Sequence, residues 1–122
     1  MIEGMDFICL PTQDMPRAIA FYRDTLGLPM GLTWEDSWVE FDLGGATLGL
    51  LNTAAVEMPF EAMAGGGIGL RVDNVKARLD ELIAKGVRPA MPFMDSGVCH
   101  MAGILDPDGN HLMLHHRYAP EE

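Results

Sequence analysis

The chain of 122 residues is 48% hydrophobic and 21% charged, the balance of a folded protein and not of a disordered tail. Eighteen acidic against eight basic residues give a formal charge of −10, which repels nucleic-acid phosphates and anionic lipid surfaces. No apolar run approaches the roughly 18 residues of a membrane span. Glu3 and Asp6 stand where a secretory leader would be basic, and Cys9 and Cys99 read as free thiols, so a cytoplasmic protein is expected.

Met5 to Leu10 suits a short strand. Asp14 then caps a helix whose first turn holds Pro16, and Met15, Ala18, Ile19, Tyr22 and Leu26 form one apolar stripe ended by Gly27. Val39 to Leu43 alternates with period two, as a half-buried strand does. Asp42-Leu43-Gly44-Gly45 is a hairpin turn into a strand from Ala46 to Leu51. The second half repeats the order. Ile68 to Val72 is a strand, Asp73 or Asn74 caps a helix with the stripe Val75, Leu79, Leu82 and Ile83, and Gly86 ends it. Met101 to Leu105, the turn Asp106-Pro107-Asp108-Gly109 and the closing strand Asn110 to Tyr118 complete it. Aligning Gly45 with Gly109 pairs Leu48 and Leu50 with Leu112 and Leu114, and Gly49 with Met113. The chain is therefore read as two strand–helix–three-strand modules, 1–52 and 67–118, joined by an Ala-, Met- and Gly-rich connector, 53–66. About 60 residues bury too little surface alone, so the modules should complete each other, within one chain or between two.

Asp14-Met15-Pro16-Arg17-Ala18-Ile19-Ala20-Phe21-Tyr22 with Leu26-Gly27-Leu28 resembles the helix signature of the vicinal oxygen chelate superfamily. Arg71-Val72-Asp73-Asn74-Val75 and Asp106-Pro107-Asp108-Gly109-Asn110 resemble its second-module signatures. That superfamily contains glyoxalase I, ring-cleaving dioxygenases, fosfomycin-resistance enzymes and bleomycin-binding proteins. The resemblance implies an α+β fold of paired βαβββ modules forming an open, cupped barrel with a ligand cavity on its concave side. It also implies a divalent metal held by a His in the first strand and a Glu in the last strand of each module. Such a metal acts as a Lewis acid on two neighbouring substrate oxygens. Carried over by position, these four sites fall on Phe7, Gly49, Gly67 and Met113, none of which supplies the donor. The reading therefore expects no metal and no cofactor, and an apolar, roomy floor in place of the metal centre.

Around that floor, Met101 and Met113 are candidates to line a pocket, or to fill a collapsed core. His111 and His115 share the strand face of Met113, where they would bond a ligand, move a proton, join an acid in a rebuilt metal site, or sit as ordinary half-buried histidines. Cys9 turns to the same side as Phe7. Cys99 and His100 diverge, as adjacent strand residues do. Trp34 and Trp38 flank Glu35 and Asp36 ahead of the Val39 strand, where they would hold a flat cationic ligand near the cavity mouth or else anchor the sheet or a dimer contact. From Asp24 to Leu70 there are seven acids and no Lys or Arg, which is either a solvated face or an attraction for cations. Gly65-Gly66-Gly67 lacks the spacing of a phosphate loop. The expected protein is a homodimer that sequesters a small organic molecule, with cationic or aromatic compounds as the candidates, in the manner of bleomycin-binding proteins. The alternatives are a glyoxalase-like lyase or isomerase and a pocketless dimeric adaptor.

Overall fold

Asp14 begins the first helix as the cap and the apolar stripe predict, its Oδ1 accepting the Arg17 N–H at 3.2 Å with Pro16 in the first turn. Asn74, not Asp73, does the same for the second, accepting the Ala77 N–H at 3.0 Å. Replacing Asn74 with alanine should cost about 1 kcal/mol of stability in a denaturant melt; a change within a few tenths would remove the cap from the account.

The computed structural model describes residues 1–65 and 67–120, so Gly66 of the expected connector lies outside the described residues. The chain divides into two units, Met1–Ala62 and Met63–Glu122. The first contains β1 (Ile8–Thr12), α1 (Met15–Ile19), a π-helical continuation (Ala20–Thr25), β2 (Met30–Trp34), β3 (Trp38–Asp42) and β4 (Thr47–Asn52). The second contains β5 (Gly69–Arg71), α2 (Val75–Ala84), β6 (Arg88–Asp95), β7 (Cys99–Leu105) and β8 (His111–Arg117). The sheet orders are β1-β4-β3-β2 and β5-β8-β7-β6, each with one parallel pair, β1 with β4 and β5 with β8. Both units are βαβββ modules, and the fold is α+β.

The two helices differ by one residue. Asp14 to Gly27 is one residue longer than Asn74 to Gly86, and the π-helical turn accommodates it: Leu26 N–H reaches back five residues to the Phe21 carbonyl at 2.9 Å. That widening brings Phe21 inward beside Tyr22, an inward turn the 3.6-residue stripe does not anticipate. Both rings are buried, 5.1 Å apart edge to face, and Tyr22 lies 5.8 Å from Phe41. Gly27 and Gly86 end their helices at φ of +75° and +92°. Ile83, expected in the α2 stripe, is instead 43% exposed, because Val75, Leu79 and Leu82 already span the buried face.

Strand register then divides each sheet into two faces, since partners on neighbouring strands point the same way and successive residues alternate. Leu10, Val39, Phe41, Leu48 and Leu50 form the helix-covered face of the first sheet, all buried. Ala102, Ile104, Leu112 and Leu114 do so in the second. Gly49 and Met113 occupy equivalent places in the two last strands, each on the opposite, helix-free face. β1 begins three residues later than the apolar run suggests, at Ile8, leaving Met5 exposed ahead of it.

Candidate functional site

In the first module the helix-free face carries Phe7, Cys9, Trp38, Glu40 and Gly49. Gly49 is the register partner of both Cys9 on β1 and Glu40 on β3. The outer edge of the Trp38 ring lies against Gly49, so closely that any Cβ there would overlap it. Its Nε1–H donates to Glu40 Oε2 at 2.8 Å, and its ring and the Phe7 ring meet edge to face with centroids 5.0 Å apart. This corrects the expectation of a roomy floor at Gly49. The space vacated by a side chain on β4 is filled by an indole reaching diagonally from β3. Trp38 lies within β3 and is half-buried, whereas its register partner Trp34, at the end of β2, is 65% exposed. The two tryptophans are therefore strand residues of one hairpin. Its turn is closed by Ser37 N–H on the Trp34 carbonyl at 3.2 Å and puts Glu35 at φ +51°.

Cys9 is half-buried on this face, and burial pushes its thiol above the ordinary value. A thiol so raised is neutral at pH 7 and a poor nucleophile. Beside Phe7, an open recess of about 190 Å³ is bordered by Met5, Asp6, Ile8, Gly45 and Thr47.

In the second module the equivalent face carries Met101, Met113, His111 and His115, all half-buried. Met101 is the register partner of His115, Leu105 of His111, and Gly103 of Met113. His116 falls on the opposite face as partner of His100. Gly67 precedes β5 and is exposed. Gly103 is closely approached by the neighbouring strand: a Cβ there would lie 2.8 Å from Met91 Cβ and 2.9 Å from Met91 N.

The four positions that the resemblance assigns to metal ligands do not fit a divalent metal. Phe7, Gly49, Gly67 and Met113 offer an aromatic ring, a thioether and two bare backbones, and the Trp38 indole fills the space over Gly49. Among the described residues no three His, Cys, Asp or Glu side chains come together as a metal-holding group. Glu40 is the one carboxylate beside Gly49 in register, and it is engaged by the indole N–H. Its alternation with Val39 and Phe41 was visible in the sequence; its pairing with Trp38 depends on side-chain reach and was not.

A second polar cluster lies on the helix-covered side of the second sheet, near its end. His100 Nε2 is 3.3 Å from Asp95 Oδ2, the Tyr118 hydroxyl donates to Asp95 Oδ1 at 2.8 Å, and the His100 ring lies 4.6 Å from Tyr118 and 5.0 Å from Phe93. His100 thus turns to Asp95 and Tyr118 and away from any pairing with Cys99. The Gly97 N–H, the Tyr118 hydroxyl and the His100 charge hold the Asp95 carboxyl below its ordinary range. The accepting carboxylate raises the Tyr118 phenol. Because the folded Asp95 value is the lower one, its contribution is complete above the unfolded carboxylate pKa and disappears as pH falls through the folded value. Tyr118 contributes below its unfolded pKa and loses that contribution as pH rises through its raised one. The Tyr118 ring resonances should therefore move with a midpoint below that of a free Asp, and should not move there in Asp95→Asn.

Two βαβββ modules of this topology define the class of protein. The chain belongs to the Glyoxalase/Bleomycin resistance protein/Dioxygenase superfamily, whose model matches residues 4–114. TnmS3, an antibiotic binding protein from Streptomyces sp. CB03234, is similar over 95% of this chain and 97% of its own, with 24% identity and a TM-score of 0.75. A glyoxalase/bleomycin resistance protein from the same organism is 25% identical over 90% and 97%, with a TM-score of 0.72. Lactoylglutathione lyase from Agrobacterium tumefaciens is 21% identical over 93% of each chain, with a TM-score of 0.75. Comparison with curated protein sequences gives no match. No helix among the described residues is long and apolar enough to cross a membrane.

Proposed function

We propose that the protein reversibly binds a small organic molecule without a divalent metal, on the helix-free face built from Phe7, Cys9, Trp34, Trp38 and Glu40. The observation that carries this reading is the Trp38 indole seated over Gly49 and tethered to Glu40. The place of a metal-ligating carboxylate has become aromatic surface with one negative charge beside it. Apolar and aromatic area supplies affinity, and Glu40, with Glu35 and Asp36 in the adjoining turn, favours a positively charged ring system. Met101, Met113, His111 and His115 give the second module a comparable face, with thioethers that adapt to irregular shapes. The likeness to an antibiotic binding protein supports the same class of activity. We infer a homodimer in the cytoplasm, where the free thiols of Cys9 and Cys99 stay reduced.

The test uses both tryptophans, since both lie on this face. Planar organic cations should quench or shift the intrinsic fluorescence, saturably and equally with or without a chelator. Trp38→Ala should weaken that binding by about tenfold or more, a loss of roughly 1.4 kcal/mol. Turnover of a glyoxalase-type substrate that a chelator abolishes would instead establish the lyase or isomerase reading. Light scattering at the mass of one chain would remove the dimer.

A further inference from the structure

The helix-free face of the second sheet gathers soft donor atoms across three strands. Met94 on β6 is the register partner of Met101 on β7, and Met101 is the partner of His115 on β8. One rung further, Met91 is the partner of Gly103 and Gly103 of Met113. The direction of the first rung is fixed independently. The next pair along, Asp95 and His100, touches side chain to side chain at 3.3 Å on the opposite face, so alternation turns Met94 and Met101 to this one. Directly opposed residues have Cβ atoms about 4.5–5.5 Å apart, a gap that flexible thioether arms and an imidazole can close on one ion. Met101 and His115 are half-buried, while Met94 is 48% exposed and gives an ion an approach from solvent.

We propose that Met94, Met101 and His115 form a binding site for a soft monovalent cation of the Cu(I) and Ag(I) class. Thioether sulfur and imidazole nitrogen select such ions, whereas Mg(II), Ca(II) and Mn(II) require oxygen donors. Asp95, the acid nearest to this rung in sequence, is on the other face. Arg71, partner of His115 on the edge strand, is exposed, so water and salt screen its charge. None of the three donors is an inherited ligand position, and the site requires neither Trp38 nor the small-molecule reading. Its failure and the failure of that reading are separate results.

The experiment is titration with Ag(I), a redox-inert probe, in chloride-free buffer, using the Cys9→Ala/Cys99→Ala variant so that thiols do not compete. One ion per chain should bind, moving the His115 imidazole and the Met94 and Met101 methyl resonances, while equal Zn(II) leaves them in place. Met94→Leu/Met101→Leu, which keeps side-chain volume, and His115→Gln should each weaken binding about tenfold or more. Anaerobic competition against a Cu(I) chelator should rank the variants in the same order. If the thiol-free variant fails to fold, Cys9→Ser/Cys99→Ser replaces it and the same methyl and imidazole shifts are read, since Cys99 shares the β7 face of Met101 and must be removed from the comparison. No uptake without thiols, unmoved resonances, or affinity unchanged by the Met and His substitutions would each overturn the site.

Discussion

Gly49→Ala should destabilise the protein by an amount at the upper end of the roughly 1–3 kcal/mol typical of overpacking. A Cβ at that position would overlap the outer edge of the Trp38 ring, so the indole must shift. That shift strains its 2.8 Å bond to Glu40 and its edge-to-face contact with Phe7. The two residues should be strongly coupled. Once Trp38 is alanine, the methyl at 49 has room, and the double variant should lose clearly less than the sum of the single losses. Denaturant melts of the four proteins measure this directly. Additive losses would show that the indole does not occupy the space above Gly49.

Asp106→Ala should cost more, about 3–5 kcal/mol, because buried donors lose a charged acceptor. Asp106 is 1% exposed and Asn110 is fully buried. Asp106 Oδ1 accepts the N–H groups of Asp108 at 2.9 Å and Asn110 at 2.8 Å, and its Oδ2 accepts Asn110 Nδ2 at 2.8 Å. Asn110 Oδ1 in turn accepts the Met63 N–H at 2.8 Å, fastening the chain entering this module to the start of β8. Asp106→Asn retains one carboxamide oxygen for the two backbone N–H groups and disturbs the Oδ2 contact with Asn110, so it should lose about 1–3 kcal/mol. Equal losses for the two variants would mean the network is not carried by the individual hydrogen bonds.

That network shows what the sequence makes legible and what it hides. Asp106-Pro107-Asp108-Gly109 announces a turn, and Gly109 N–H does close it on the Asp106 carbonyl at 3.0 Å. Nothing local reveals that the same Asp is buried and clamps Asn110, which in turn holds Met63. The apolar stripes of both helices are plain because a 3.6-residue period survives in single-residue detail; the π-helical turn is not, since it reflects one extra residue visible only against the second helix. β2 and β6 escape a period-two reading for different reasons. All five residues of β2 are exposed, and the register of β6 shifts twice against β7, where Met91 packs onto Gly103. At the candidate site, the resemblance alone implies that none of the four ligand positions keeps a metal donor. What fills the space instead is not implied by it. Trp38 is not the register partner of Gly49, and its ring reaches that residue from the neighbouring rung, so only the paired strands reveal the contact.

The most direct test of the account is the unfolding midpoint of the native chain with planar organic cations, each measured with and without a chelator. A bound compound at one hundred times its Kd should add about 2.7 kcal/mol of apparent stability, indifferent to the chelator and strongly reduced in Trp38→Ala. Stabilisation that vanishes when divalent metal is stripped, or that survives intact without the indole, would contradict it.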